Sequence, residues 1–403
     1  MTQRKQYVML RSQHLVNPNI RAGEPVRGVR GDDSLKIETA EVSSGEIAQM
    51  WHTDERLLAA AELMPLRLYE PALRSDEVEA DAAGSTWGLR AIGATQTAYT
   101  GEGITVAVLD SGIDAEHEAF SGVKLEQRDF SGDGNGDLND HGTHCAGTIF
   151  GRSVGGLRIG VAPGVSHALI GKVLGRRGAA TDQLVQAIQW AADGGAHVIS
   201  MSLGIDFPGF VKLMVAQDCP VDLATSKALE AYLENVRMFD ALTESIRTSR
   251  ARHNGALMVA AAGNERRRAG TPKYTIGVSP PANAKMILSV GAVALDGDVW
   301  SVAPFSNANP GIAAPGVGIV SAKPGGGLAT MSGTSMAAPH VAGAAVLWAE
   351  AIQRTFKRLT PDLLLQKVAG AAVQVGELGF AEIGGGLVKV PPSPRGPGVG
   401  AMR

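Results

Sequence analysis

The chain has little cysteine: two residues among 403, Cys145 and Cys219. Two are too few for a disulfide framework and the wrong set for a structural zinc site, so a pair of free thiols is expected. A strong charge of either sign is missing as well. With a formal net charge of −3, neither a nucleic-acid partner nor a membrane-surface stripe is expected. Long apolar runs are absent, and no stretch approaches the roughly 20 residues that a transmembrane helix needs. Residues 1–15 contain no apolar signal core and no small-residue cleavage site. An intracellular location is therefore expected, with export by another route left open.

What is present is a globular composition, 44% hydrophobic and 19% charged. Such a length suits one large core with a smaller unit attached. Residues 1–85 differ from the rest and read as a small α+β segment. Strands are expected at 5–10, 35–42 and 64–69, with an amphipathic helix over 45–62 carrying Ile47, Trp51, Leu57, Leu58 and Ala61. The acidic, small-residue stretch 76–85 reads as an exposed linker. From Trp87 the pattern becomes strand, helix, strand. Continuous apolar runs at 104–110, 167–174, 198–203, 256–262 and 287–293 read as strands buried on both faces of a parallel sheet. Between them lie helical patterns such as Leu184, Ala187, Ile188 and Ala191. The alternation predicts a doubly wound α/β domain, mostly parallel, with helices on both faces and active groups at the carboxyl ends of strands. Residues 391–403 are Pro/Gly-rich and read as a flexible tail.

Four polar residues stand where such a sheet would gather them. Asp110 ends the run ITVAVLD, where a carboxylate needs a partner or else caps the next turn. His141 opens HGTHCAGT, whose small residues allow close packing. The pair His141 and His144 also has the look of a metal pair, but without an intervening Glu or a third ligand, and His144 reads as structural. Ser335, in GTSMAAPH ahead of an apolar helix, lies at the positive end of that helix, as a nucleophile or as a plain N-cap. Asn264, in AAAGNE after another strand, points an amide above the sheet or makes a turn.

Together these blocks (DSGID, HGTHCAGT, SMSLG, AAAGNE and GTSMAAPHVAG, in that order) resemble the subtilisin-like serine proteases over residues 87–390. The resemblance implies a serine endopeptidase acting through an acyl-enzyme. Ser335 would be the nucleophile, His141 the proton carrier, Asp110 its orienter, and Asn264 with the Ser335 N–H the oxyanion hole. An extended peptide or protein substrate would pair with Ser202, Leu203 and Gly204 on one edge and Gly178, Ala179 and Ala180 on the other, with Gly263 close by. No cofactor is required for this chemistry. The same residues would also serve a peptide ligase or, without catalysis, a peptide-binding module.

Several stretches depart from the family pattern. An insertion at about 205–252 is expected to be helical over 222–250, where Leu223, Leu229, Leu233, Val236, Leu242 and Ile246 suggest an amphipathic pair, placed as a lid or as a distal decoration. Arg266, Arg267 and Arg268 border the expected primary pocket and read as a solvated loop or as a run that favours acidic residues in the substrate. Asp129, Asp133, Asn135 and Asp137 alternate with glycines before Asp140, as in a structural calcium loop or a solvated acidic turn; the bidentate Glu of an EF-hand is missing. Cys145 lies one helical turn beyond His141. Residues 1–85 stand where the family carries a prodomain, and are expected to inhibit the cleft until cleavage near 74–87.

Overall fold

The computed structural model describes residues 4–13, 35–76, 84–248, 255–268 and 271–394. The chain opens with strand β1 (Arg4–Ser12), β2 (Leu35–Ser43), helix α1 (Ser44–Thr53) and β3 (Leu57–Glu62). Here β1 is the central strand, antiparallel to both neighbours. Ser43 and Glu46 start α1 with a reciprocal capping box, each side chain taking the other's backbone N–H. The helix expected over 45–62 ends at Thr53, and Leu57, Leu58 and Ala61 belong to β3. The turn through Asp54 breaks the helical period, and the apolar residues beyond it pair with β1.

Strand alternation explains why Tyr7, Val8, Met9 and Leu10 are all buried. Tyr7 and Met9 pack with Ile47 and Val42 beneath α1, forming the small unit's own core. Val8 and Leu10 point the other way, into a cluster shared with the large domain. Burying each contributes about 1.5–3 kcal/mol, so the N-terminal unit docks through half its own core.

Beyond β3 come two short strands, β4 (Pro65–Leu68) and β5 (Leu73–Ser75). The large domain follows as α2 (Trp87–Ile92), β6 (Thr105–Asp110), β7 (Lys124–Asp129), α3 (His141–Phe150), β8 (His167–Lys172), β9 (Ala179–Ala180), α4 (Thr181–Asp193) and β10 (Val198–Met201). Next are β11 (Leu203–Ile205), α5 (Phe207–Val215), α6 (Val221–Thr248), β12 (Leu257–Ala261), β13 (Ile287–Asp296) and β14 (Val299–Val302). The last elements are β15 (Ile312–Pro315), β16 (Ile319–Ala322), β17 (Leu328–Ser332), α7 (Thr334–Phe356), α8 (Pro361–Gly370) and α9 (Phe380–Ile383).

The main sheet runs β14-β13-β12-β10-β6-β8-β7, with β15 also on β13, and every pair in it is parallel except β13–β14. Its faces follow from alternation. Val106 and Val108 of β6 face the core under α3 and α7, while Ala107 and Leu109 face the one under α4 and α6. After β8 the chain crosses to the other side of β6, so the carboxyl end of β6 lies at the switch point where such sheets bind ligands. The fold is the expected doubly wound α/β architecture.

The insertion does not hold the amphipathic pair suggested over 222–250. It is a short α5 followed by α6, 28 residues long. In the first half of α6 the buried positions are Ala224, Ala228 and Ala231, while Leu223, Leu229 and Leu233 are exposed. Small residues face inward there because α6 lies close against β3. Glu62 N–H donates to Glu234 at 3.0 Å, and Asn235 Nδ2 donates to the Glu62 carbonyl at 2.8 Å. The insertion thus seats the N-terminal unit. Of the expected linker and tail, 77–83 and 395–403 lie outside the described residues, as do 249–252 of the insertion.

Candidate active site

Asp110 is the last residue of β6, His141 the first of α3, and Ser335 the second of α7; all three are fully buried. Their convergence depends on a close approach at Gly142, where a Cβ would lie 2.1 Å from the Gly112 carbonyl oxygen. Asp110 Oδ1 lies 2.7 Å from His141 Nδ1 and also accepts the Ser111 N–H. Burial alone would lower the His141 pKa. The Asp110 carboxylate, with Cys145 acting in the same sense, overcomes this and raises it well above the usual histidine value. His141 Nε2 makes no hydrogen bond. It is free to take a proton.

His144 behaves differently, one turn on. Burial, and then the His141 charge, push its pKa down to about 3. Its neutral ring donates from Nε2 to the carbonyls of Ile319 (3.0 Å) and Ala329 (3.2 Å). This is the structural histidine expected from the sequence. Cys145 packs beneath the site, with Sγ 3.3 Å from the Ser335 carbonyl oxygen and 3.8 Å from His141 Nδ1. Burial raises its thiol pKa. Both cysteines are free thiols.

The cleft is occupied by the chain itself. β4 lies between β11 and β9, pairing antiparallel with both: Leu68 opposite Leu203, Arg67 opposite Gly204, and Leu66 opposite Ile205 and Ala179. Leu203, Gly204, Ala179 and Ala180 of the predicted edges thus pair with β4, whereas Gly178 turns back on Gly175 and lies outside the pairing. Ser202 contributes its carbonyl, which accepts the Tyr69 N–H at 3.5 Å. Tyr69 is 2% exposed. Its hydroxyl fills the space above Gly204, where a Cβ would come within 1.9 Å of it. Burial, and then the Glu265 charge, raise the phenol pKa.

Past Tyr69 the chain remains in the cleft. Ala72 N–H donates to the Ser332 carbonyl, and β5 pairs with β17. The Tyr69–Glu70 peptide thus lies across Ser335, whose hydroxyl donates to the Tyr69 carbonyl at 3.0 Å. Asn264 Nδ2 donates to the same oxygen at 3.4 Å and to the Glu70 carbonyl at 3.1 Å. The Asn264 amide is oriented from behind, its Oδ1 accepting the Thr334 N–H at 2.9 Å and the Thr334 hydroxyl at 2.8 Å. Gly263 N–H goes to that same hydroxyl, so Gly263 braces the start of α7. A hydroxyl and an amide donor are thereby gathered at one peptide carbonyl. The bond so presented lies upstream of the stretch 74–87 where cleavage was expected.

The acidic loop before His141 is folded by its own amides: Asp129 accepts from Ser131 N–H and hydroxyl, Gly132 N–H and Gly134 N–H. Asp133 accepts the Arg176 N–H, and Asp137 holds Ser111, Asn139 and Thr143. These contacts hold the loop's shape from within. Among the described residues, only Asp110, His141 and Cys145 converge closely enough to offer three metal-ligating side chains. Arg268 pairs with Glu382 and Arg267 stacks on Tyr274, while Glu265 is the charge that faces the cleft chain.

Sequence reasoning missed Tyr69, Thr334, Asp206 and Glu265. The signal for Tyr69 was a short apolar strand, PLRLY, just ahead of Glu-Pro. The other three are visible only through their partners. No helix among the described residues is long and apolar enough to cross a membrane.

A family model described as the subtilase family matches residues 101–383. The chain is similar to the intracellular serine protease of Paenibacillus polymyxa, 35% identical over 280 residues, covering 66% of this chain and 74% of that one. It is similar to subtilisin-like protease 1 of Arthroderma gypseum, 32% identical over 325 residues, covering 75% of this chain and 54% of that protein. Among solved structures, fervidolysin from Fervidobacterium pennivorans, a keratinolytic enzyme related to subtilisin, matches its fold with a TM-score of 0.65 at 20% identity. That likeness covers 96% of this chain and 60% of fervidolysin.

Proposed function

The chain belongs to the subtilase family and is a subtilisin-like serine endopeptidase, and we propose that it is made latent, its own N-terminal segment lying in the cleft as first substrate and then inhibitor. The observation that carries this is the position of the Tyr69 carbonyl, within hydrogen-bond reach of both Ser335 Oγ and Asn264 Nδ2.

In this reading Ser335 Oγ turns from the Tyr69 oxygen to its carbonyl carbon and gives its proton to His141 Nε2. Asp110 keeps the other ring nitrogen protonated and stabilises the imidazolium. The oxyanion is held by Asn264 Nδ2 and the Ser335 N–H, at the positive end of α7. His141 then protonates the departing Glu70 nitrogen, and water hydrolyses the Tyr69 acyl-enzyme. No cofactor enters the chemistry. The fragment ending at Tyr69 stays bound through β4 and through the face of the N-terminal unit that rests on α4 and α6. Later substrates are extended peptide segments that replace β4 between β9 and β11. A relative that bears the name intracellular serine protease supports a place inside the cell.

The test is intact mass and N-terminal sequencing of the purified chain. Wild type should yield a new N-terminus at Glu70, and Ser335→Ala should remain one unbroken chain. A Ser335→Ala chain cut at Tyr69, in the absence of other proteases, refutes the proposal.

A further inference from the structure

One charge cluster in the cleft takes no part in the chemistry above. Arg67 lies in β4 and Tyr69 just past its end, where its N–H continues the pairing to the Ser202 carbonyl, so the spacing of two puts their side chains on the same face. The Arg67 guanidinium lies over Glu265, with Nη2 2.5 Å from Oε1, and Nη1 is 3.4 Å from Asp206 Oδ1. The three side chains are only 35%, 27% and 20% exposed. Each carboxylate is built in rather than loose. Asp206 caps α5 by accepting the Gly209 N–H, and its own N–H donates to the Pro65 carbonyl. Glu265 is clamped by Asn307, whose Nδ2 donates to Oε2 at 2.6 Å while its Oδ1 accepts the Glu265 N–H. Asp206 stands at the start of the insertion, and Glu265 follows the oxyanion residue.

Building on the proposed endopeptidase reading, we propose that Asp206 and Glu265 form an acidic subsite for a basic side chain at the third residue before the cleaved bond. With Tyr69 filling the adjacent pocket, the favoured substrates carry Arg or Lys, then any residue, then an aromatic residue whose carbonyl is attacked. Two fixed carboxylates meet separate guanidinium nitrogens, which favours Arg over Lys. An acidic residue at this position meets two like charges. The pairs are partly open to water, so each acts with the modest strength of a screened ion pair, and the discrimination comes from both together.

The experiment measures kcat/KM of the purified full chain, after it has processed itself, on peptides of sequence Pro-Leu-X-Leu-Tyr-Glu-Pro-Ala with X as Arg, Lys, Gln or Glu. The expected order is Arg, Lys, Gln, Glu, with Arg over Glu by about 10–100-fold and carried mainly in KM. Asp206→Asn keeps the helix cap and should reduce the ratio several-fold; Asp206→Asn with Glu265→Gln should bring it near one, and Glu265→Lys should invert it. Cleavage of all four peptides at equal rates by wild type overturns the subsite while leaving the endopeptidase standing. An unchanged Arg-to-Glu ratio in the double variant does the same. Absence of cleavage together with no labelling of Ser335 by a fluorophosphonate overturns the endopeptidase reading, and the subsite with it.

Discussion

Replacing Asn264 with Leu tests the proposed oxyanion hole most directly, because shape is nearly kept and the donor is lost. In the intact chain Nδ2 sits 3.4 Å from the Tyr69 oxygen, a long and weak contact. When Ser335 attacks, that oxygen becomes an anion and the contact strengthens, so the interaction favours the transition state over the ground state. Losing one such donor costs roughly 10²–10³ in rate, or about 2.7–4 kcal/mol. The Leu variant also leaves the Thr334 N–H and hydroxyl without Asn264 Oδ1, which costs about 1–3 kcal/mol of stability. Thr334→Val separates the two effects. It keeps the donor but loses one of its two braces, worth about 1 kcal/mol, and should slow processing only about fivefold. The assay is the appearance of the Glu70 N-terminus over time by intact mass, with a thermal melt to confirm folding. Processing of a folded Asn264→Leu chain within about threefold of wild type would refute the assigned role.

Because Asp110 raises the His141 pKa, the neutral imidazole needed as base should appear only above the ordinary value of 6.5. Processing should therefore rise with pH and level off above that value, and Asp110→Asn should move the midpoint down while slowing the reaction; an acid limb below 6.5 in wild type contradicts this. The folding contribution has the opposite sign, fully present below the unfolded histidine pKa and lost as pH rises through the raised folded one. Cys145 is buried with its thiol pKa raised, so bulky thiol reagents should react slowly, and a mercurial once attached should abolish activity by displacing His141 and the Ser335 backbone. Full activity after labelling at Cys145, confirmed by mass, would disprove the packing argument. Asp129→Ala removes an acceptor of three backbone N–H groups and one hydroxyl and should cost about 1–3 kcal/mol, with the same deficit whether calcium or a chelator is present. A deficit that appears only in calcium would restore a metal to this loop.

Taken alone, the sequence determined the doubly wound core and the places where polar groups would collect. A strand buried on both faces has to be apolar throughout, so ITVAVLD announces both a central strand and its carboxyl end. The Gly-rich blocks around His141 and Ser335 mark close approaches that tolerate few other residues. Helix and strand divided less legibly in the N-terminal unit, because the apolar residues at 57–61 fit either period and only pairing with β1 decided between them. The acidic loop carried calcium-like spacing, but spacing does not say whether a carboxylate turns to a cation or to its own amides. The resemblance implied that the N-terminal segment enters the cleft, but tertiary structure alone decided which of its residues lie there. Tyr69 is far from Ser335 along the chain, and no local pattern encodes that the two meet. The same holds for Arg67 with Asp206 and Glu265, and for α6 beneath β3. Those contacts exist only once the N-terminal unit has docked, its affinity spread over a strand pairing, a filled pocket and a shared apolar face.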